Sequence, residues 1–375
     1  MYRSILAISL GLALTQLPKL AGDQKAGPPA RAQEITSDVH TYDQALPVCS
    51  PDGHWPAFEY HDTNDPNYPR VGIMDLSQDS HPWHPLLEVK PGRHLFAGDM
   101  SWSPDSQWLA MLTDYPKGKE SFWSDSDIQV VKVNIKTHEV VRLTNFPVDT
   151  AVNPNTAWLR DGWIVFSAVD ENIYAVSEKG GELRQLVNVP KDKCGGGTNT
   201  FAVSPDEQKI AFVMNGSGSN QTAACNALWI ADLQKGALQR AWTNGLLPLS
   251  PFWLDNDTIF FSGEKDNKPI GIYSLSLSTG NLTHLLEGYY LTPFVCDSGK
   301  MLYFSWGPSL QAKTPSGDAW PTFNDFAGFH IWRVPLGDVL QQRGNEQHSG
   351  VSETGDPKTG NVHLQIPIPA STKKQ

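Results

Sequence analysis

The sequence has few charged residues and no cluster of lysine and arginine. Charged residues make up 18% of the 375 positions, and 40 acidic residues against 29 basic ones give a formal net charge of −11. Nucleic acids and anionic membrane surfaces attract proteins through basic patches. The composition therefore predicts that neither is a partner of this protein.

Three motifs that mark common catalytic sites are also missing. There is no Gly-x-Ser-x-Gly nucleophile elbow, no His-Glu-x-x-His zinc site and no Gly-rich phosphate loop followed by Lys. The apolar run at the N-terminus is too short to span a bilayer as a helix. We therefore predict no catalytic residue, no metal site, no cofactor and no membrane segment in the mature protein.

A turn followed by an apolar strand recurs along the chain. In its clearest copy, Ser103-Pro104-Asp105-Ser106 precedes the apolar run 108–112, and Ser-Pro-Asp is typical of a type I turn. The turn aspartates are Asp52, Asp105, Asp161, Asp206, Asp255 and Asp297. They are spaced 42 to 56 residues apart, which is the period of propeller blades rather than of helical or leucine-rich repeats.

Each repeat continues with two more short apolar segments. In the second repeat these are 128–133 and 140–144, separated by a short polar turn. Six units of four short antiparallel strands predict an all-β fold, a six-bladed β-propeller.

These repeats resemble a known family. The order Pro-x-Trp-Ser-Pro-Asp-Gly, apolar strand, Ile-Tyr-x-x-Asp/Asn and closing Leu-Thr is similar to the TolB-like propeller repeat of exported bacterial proteins, over roughly residues 45–335. The resemblance is clearest around Asp105 and Asp206 and implies the propeller fold. The short stretch before the first blade leads us to expect that the α/β domain preceding the family's name-giving propeller is absent.

The N-terminus predicts export. Arg3 provides a positive charge before the apolar run 5–14, as in a signal peptide. We assign residues 1–22 to this signal, with cleavage after 20–22 or as late as 30–32 left open. The predicted location is therefore periplasmic or secreted.

The remaining chain divides into three parts. We predict a flexible lead-in over 23–44, the propeller over 45–336 and a polar tail over 337–375. Residues 362–368 alternate apolar and polar side chains and predict a strand. We expect this strand to form the outer edge of the last blade, unless the segment 35–42 does so instead.

Four cysteines allow two disulfides in an exported chain. Cys194 and Cys225 flank the first two strands of one blade, so we predict that they pair. Cys49 and Cys296 lie beside turns of the first and sixth blades, which become neighbours in a closed ring. Because their positions in the repeat do not match, we expect them to remain buried free thiols.

Loop lengths predict where a binding site lies. In a propeller, the connections between second and third strands and between blades share one face, here called the loop face. The other connections share the turn face. Length variation falls almost entirely on the loop face, and variable loops on a rigid scaffold usually carry binding residues. The candidate binding residues there are Tyr115, Trp123, Trp306, Trp320, Arg70 and His94.

Two interpretations of these residues stay open. Loop aromatics stack on sugars or apolar peptide side chains, but they also pin long loops onto a propeller rim. The histidine-rich stretch 81–84, with His54 and His61, has the residue type of a metal site, yet it falls in a loop away from the channel mouth.

We therefore predict an exported, non-enzymatic propeller. Its partner is a protein or peptide in the cell envelope, or an envelope glycan, bound through the loop face. The alternative is a polysaccharide-acting lyase or hydrolase, which requires polar residues from several blades to converge at the channel.

Overall fold

The structure, a computed structural model, describes most of the repeat region and parts of the flanking chain. The described residues are 28–36, 41–62, 65–78, 80–91, 93–116, 127–147, 152–168, 170–189, 198–214, 227–242, 246–265, 271–288, 290–296, 299–307, 329–341 and 362–363.

The described residues form six sheets of antiparallel strands, which confirms the predicted six-bladed propeller. A short N-terminal strand, β1 (Gln33–Glu34), precedes the first blade. Blade 1 contains β2 (Thr41–Cys49), β3 (Pro56–Asp62), β4 (Asp65–Met74) and β5 (Trp83–Pro85). Blade 2 contains β6 (Ala97–Trp102), β7 (Trp108–Thr113), β8 (Gln129–Asn134) and β9 (Val140–Arg142). Blade 3 contains β10 (Val152–Trp158), β11 (Trp163–Ala168), β12 (Ile173–Ser177) and β13 (Leu183–Val187).

The second half of the ring repeats this plan. Blade 4 contains β14 (Thr198–Val203), β15 (Lys209–Met214), β16 (Ala227–Asp232) and β17 (Ala237–Trp242). Blade 5 contains β18 (Leu246–Trp253), β19 (Thr258–Lys265), β20 (Gly271–Ser276) and β21 (Leu282–Glu287). Blade 6 contains β22 (Tyr290–Cys296), β23 (Met301–Trp306) and β24 (His330–Pro335), followed by a one-turn helix, α1 (Leu336–Gln341), and β25 (Val362–His363).

The outer edge of blade 6 is formed by the N-terminal strand. Gln33 and Glu34 of β1 pair with Arg333 and Trp332 of β24. This differs from the expectation that 362–368 occupies the edge, because β25 instead pairs with β17 of blade 4. The N-terminal segment directly precedes blade 1, which is the neighbour of blade 6, so only a few residues are needed to reach the edge. The predicted flexible lead-in thus contributes β1 and the start of β2.

A disulfide also closes the ring. Cys49 ends β2 and Cys296 ends β22, and the two form a disulfide with a Cα–Cα distance of 5.7 Å. The expectation of two free thiols is therefore wrong. The first strands of blades 1 and 6 run side by side, which brings two unmatched repeat positions within bonding distance. Cys194 and Cys225, the predicted pair, lie outside the described residues.

Apolar side chains on the second and third strands fill the contacts between blades. Ala57 and Ile73 of blade 1 share one buried cluster with Met111 and Val133 of blade 2. The alternate residues of blade 1, such as Phe58, pack in a separate cluster toward blade 6. Both faces of each blade are thus buried against its neighbours, as the apolar runs predict.

The recurring Ser-Pro-Asp turn is held by the serine hydroxyl. Ser103 Oγ donates to Asp105 Oδ1 at 2.6 Å and accepts the backbone N–H of Trp108 at 2.9 Å. Ser204 makes the same two contacts, with Asp206 and Lys209, and Ser50 makes them with Asp52 and Trp55. A hydroxyl both donates and accepts, which explains why serine stands at this position.

Candidate functional site

Each of the six first strands contains a β-bulge. The register shifts fall after Ala45, Gly98, Asn153, Thr198, Leu249 and Leu291. Non-glycine residues with positive φ lie at these bulges, namely Leu46, Asp99, Asn155, Ser250 and Thr292. Left-handed conformations are uncommon for residues with a side chain and need support from their surroundings. Contacts from the neighbouring blade are therefore expected at the bulges.

Side-chain oxygens of one blade accept the bulge N–H groups of the next blade. Glu59 Oε1 of blade 1 accepts from Asp99 N of blade 2 at 2.5 Å. The Asp99 carboxyl accepts the N–H of Asn155 of blade 3. We call these two blade contacts the carboxylate-capped seams. They use acidic side chains in a nearly dry environment.

At the contacts of blade 5 with blades 4 and 6, hydroxyl oxygens accept the bulge N–H groups. Thr200 Oγ1 of blade 4 accepts from Ser250 N at 3.2 Å, and Ser262 Oγ of blade 5 accepts from Thr292 N at 3.0 Å. We call these the hydroxyl-capped seams. The contact between blades 3 and 4 is of neither kind. There, Asn155 Nδ2 donates to the carbonyl oxygen of Phe201 at 3.2 Å.

Glu59 and Asp99 are unusual because both are acidic and buried. Glu59 is 8% exposed and Asp99 is 7% exposed. A Cβ on Gly98 would collide with the Glu59 carboxylate, so only glycine lets this carboxylate lie against the bulge. Burial raises the pKa of Asp99 to about 7, although its hydrogen bond from Asn155 N acts in the opposite direction.

A charged network lies on the loop face above the seam between blades 1 and 2. Arg70 donates to Asp62 at 3.3 Å and to Asp65 at 3.1 Å. His94 Nδ1, from the connection between the two blades, lies 2.8 Å from the second oxygen of Asp65. We call the group formed by Asp62, Asp65, Tyr68, Arg70 and His94 the seam site. Asp65 joins its two basic members through separate oxygens.

The ring of Tyr68 packs against the imidazole of His94. Tyr68 is buried, and its ring stacks on His94 with centroids 4.7 Å apart and planes 16° apart. Burial, followed by the charges of Asp65 and Asp114, raises the pKa of Tyr68 to about 12. Asp114, at the end of the second strand of blade 2, accepts the N–H of Phe96 at 3.0 Å. The seam site therefore draws on residues of both blades.

The seam site presents a graded exposure to solvent. The side chain of Asp65 is 9% exposed, that of Arg70 17%, that of Asp62 29% and that of His94 38%. Arg70 is held by two carboxylates, and His94 is held by a stacked ring and a hydrogen bond with Asp65. The accessible groups are thus pre-oriented, which lowers the entropy lost when a ligand binds.

The six predicted binding residues do not form one group in the described part of the structure. It brings Arg70 and His94 together through Asp65. Tyr115 is half-buried against the core between blades 1 and 2. Trp306 is half-buried in blade 6 and meets Trp332 edge-on at 5.5 Å. Trp123 and Trp320 lie outside the described residues.

Several residues of these sites were not among the predicted ones. These residues lie within or next to strands, namely Glu59, Asp99, Tyr68 and Asp114. In the sequence alone they are recognisable only as polar residues near apolar ones. Asp65 belongs to an oxygen-rich loop that has the composition of a calcium site. Its partner Arg70 lies five residues later on the same strand, β4. The register shift between β3 and β4 that separates the pairs His61–Pro69 and Asp62–Asp65 is not visible in the sequence alone.

The histidines of blade 1 are spread over different environments. His61 is buried in β3, whereas His84 is exposed and lies 6.2 Å from His138 between ring centroids. Within the described ranges, no three His, Cys, Asp or Glu side chains are grouped as a metal site. No helix in that part of the chain is long and apolar enough to cross a membrane.

Known structures with the same fold include TolB and oligogalacturonate lyases. TolB from Acinetobacter baumannii superposes with a TM-score of 0.50 and 19% identity, over 66% of this chain and 56% of TolB. Oligogalacturonate lyase from Vibrio parahaemolyticus superposes with a TM-score of 0.51 and 14% identity, over 81% of this chain and 80% of the lyase. An oligogalacturonate lyase in complex with manganese gives a TM-score of 0.52 and 13% identity, over 82% of this chain and 94% of that chain.

These similarities concern architecture. The chain spans little more than half of TolB's length. No protein-family model and no curated protein sequence matches the chain. Propellers of one architecture carry unrelated functions, so similarity at this level of identity describes the scaffold only. The repeats, the strand order and the superpositions agree that this chain is a six-bladed β-propeller.

Proposed function

We propose that this protein is an exported, non-enzymatic propeller that binds a protein or peptide of the cell envelope, or an envelope glycan, through the seam site. One observation carries the proposal: Arg70, Asp65 and His94 come from loops of adjoining blades and form one fixed, partly exposed network. Convergent polar groups on a rigid scaffold are what a specific binding site requires.

The charge of the seam site favours neutral or cationic ligand groups. The guanidinium of Arg70 already faces two carboxylates, Asp62 and Asp65, and so has little attraction left for an anionic ligand. The chain as a whole has a net charge of −11. Hydroxyl, amide and ammonium groups therefore match this surface better than the carboxylates of a polyuronide do.

Two features support export. The N-terminal apolar run after Arg3 has the composition of a signal peptide. The disulfide between Cys49 and Cys296 is a kind of bond that persists mainly in oxidising compartments. A periplasmic or secreted protein is consistent with both.

Binding is tested on an array of muropeptides, neutral glycans, polyuronides and basic or acidic peptides, with affinities measured by biolayer interferometry. Asp65→Asn removes the negative charge that faces Arg70 and His94. His94→Gln removes the imidazole that contacts Asp65. We expect each to weaken binding of a neutral or basic ligand by about tenfold, which corresponds to the loss of one charge-assisted contact.

The matched control is Arg160→Gln. Arg160 forms an ion pair with Glu207 on the turn face, at 3.8 Å, on the side of the ring opposite the seam site. It should leave affinity unchanged. Binding that is insensitive to both seam-site variants, or a preference for polyuronides, would contradict the proposal.

The alternative function is a polysaccharide-acting lyase or hydrolase at the channel. The observation in its favour is Asp99, a buried carboxyl on the first strand of blade 2 with a pKa of about 7, because strongly perturbed acids are common at catalytic sites. Incubation with polyuronides and neutral polysaccharides, with and without divalent metals, tests it. Release of shortened products by the native protein but not by Asp99→Asn would favour the enzyme.

A further inference from the structure

We propose that Glu59 and Asp99 form a proton-operated clamp that joins the first three blades, closed while Asp99 is protonated and loosened when Asp99 ionises. The proposal goes beyond ligand binding, because it concerns how the ring itself responds to pH. It rests on the way two buried carboxyl groups are placed in successive blade contacts.

The clamp is continuous across three blades. The Glu59 carboxylate accepts the N–H of Asp99, and the Asp99 carboxyl accepts the N–H of Asn155. Thr156 Oγ1 also donates to the carbonyl oxygen of Asp99 at 2.8 Å and lies 2.9 Å from Ser101 Oγ. A change in the charge of Asp99 therefore acts on contacts to blade 1 and to blade 3 together.

The Glu59 carboxylate lies against the backbone of Asp99 in a buried seam. It accepts the amide N–H of Asp99, and the absence of a Cβ at Gly98 allows this close approach. Ionisation of Asp99 adds a negative charge to the same seam. Burial disfavours this charge, because little water is available to solvate it.

The elements packed against β6 bring few compensating charges. Neither β7 nor β10 contains a titratable residue. The nearest strands of blade 1 carry the remaining ionisable groups, which are Tyr42 and Asp43 on β2, Glu59, Tyr60, His61 and Asp62 on β3, and Asp65, Tyr68 and Arg70 on β4. The one permanent cation among them, Arg70, is held by Asp62 and Asp65.

The direction of the pH effect follows from the raised pKa of Asp99. In the unfolded chain this carboxyl has its ordinary pKa near 3.8, whereas in the folded protein the pKa is about 7. The folded state therefore holds the proton more tightly between these values. Its stabilising effect is fully present below the unfolded pKa and is lost as pH rises through the folded pKa.

Loosening this clamp should also affect the seam site, a consequence that rests on the proposed function. Glu59 and Asp62 lie three residues apart on β3, and β3 pairs with the strand that carries Arg70. Raising the pH from 6 to 8 should weaken ligand binding in the native protein and change it less in Asp99→Asn.

The clamp itself is tested by thermal unfolding from pH 4 to pH 8. Asn is close to the protonated Asp in shape and stays neutral, so Asp99→Asn should come closest to the native protein at about pH 4. Its Tm should then rise above that of the native protein as the pH increases to about 7, and exceed it by about 5 °C at pH 8. Ser262→Ala is the matched control, since it removes a blade-to-blade cap that does not titrate. It should lower Tm by the same amount at every pH.

Hydrogen exchange provides a measurement that needs no variant. After correction for intrinsic rates, protection of 97–102 in the native protein should fall at least tenfold between pH 6 and pH 8, while that of 246–253 stays constant. Equal pH slopes for the native protein and Asp99→Asn, or equal changes in both segments, would overturn the clamp. If no ligand binds at either pH, the proposed function fails while these two measurements still decide the clamp.

Discussion

Blades 1 to 3 and blades 4 to 6 solve the same problem with different chemistry. In both halves a bulge in the first strand leaves a backbone N–H that the preceding blade must accept. The first half uses the carboxylates of Glu59 and Asp99, and the second half uses the hydroxyls of Thr200 and Ser262. The backbone geometry is therefore set by the repeat, whereas the cap is free to vary.

The choice between a hydroxyl and a carboxylate cap determines how each half of the ring responds to pH. A hydroxyl is neutral at all ordinary pH values, so its hydrogen bond does not change between pH 5 and pH 8. A buried carboxylate makes a stronger bond but is costly to ionise. The seam site lies above a carboxylate-capped seam, so the half of the ring that carries the candidate site is also the half that responds to pH.

The seam between blades 6 and 1 differs from both kinds because it is covalent. The disulfide between Cys49 and Cys296 encloses a sequence separation of 247 residues. Constraining so long a loop in the unfolded chain corresponds to about 5.5 kcal/mol in the chain-entropy account. We expect the double variant Cys49→Ser/Cys296→Ser to lose this much in free energy of unfolding, measured by urea denaturation.

Reduction is the control for the disulfide. The native protein and the double variant, both treated with reductant, should unfold at the same urea concentration, because the predicted Cys194–Cys225 bond is then broken in both. A native protein whose stability is unchanged after complete reduction would show that β1 and the packing of blade 6 close the ring without the bond.

The second prediction removes one carboxylate cap. Glu59→Ala leaves the N–H of Asp99 without its acceptor in a buried seam and opens a cavity, so we expect a loss of about 3 kcal/mol in the free energy of unfolding. Glu59→Gln keeps an acceptor oxygen and almost the same volume. It should recover most of the loss, and equal losses in the two variants would mean that charge, not the hydrogen bond, holds the seam.

The third prediction concerns the glycine beneath that cap. A Cβ at Gly98 would meet the Glu59 carboxylate inside contact distance, so Gly98→Ala should destabilise the protein by about 2 kcal/mol through overpacking. Gly337 in α1 has open space at its Cβ position, so Gly337→Ala should stabilise slightly, by about 0.5 kcal/mol. Combining Gly98→Ala with Glu59→Ala should cost less than the sum of the two changes.

The fold was predictable because its determinants are local. Ser103-Pro104-Asp105 is a turn by the chemistry of three consecutive residues, and the structure shows the expected hydroxyl contacts. Repetition of that turn at propeller spacing then fixed the architecture. The resemblance to TolB-like repeats pointed to the same fold, and the strand order confirms it.

The contacts between blades were harder to predict because they join distant residues. Cys49 meets Cys296 only when the ring closes, and their repeat positions gave no indication of pairing. Glu59 and Asp99 are separated by forty residues, and only the bulge shows that one must cap the other. Arg70 and His94 meet through Asp65. Asp65 was not among the predicted residues, because an oxygen-rich loop has other interpretations.

The smallest effect is expected from a hydroxyl cap. Thr200→Val keeps the shape of the side chain and removes the oxygen that accepts the N–H of Ser250 at 3.2 Å. A neutral hydrogen bond of this length contributes about 1 kcal/mol, so urea denaturation should show a loss of that size. The loss should be the same at pH 5 and pH 8, because no group with a shifted pKa takes part. A loss that grew with pH would contradict the distinction between the two halves of the ring, since it would mean that a titrating group acts on a cap that is itself a neutral hydroxyl.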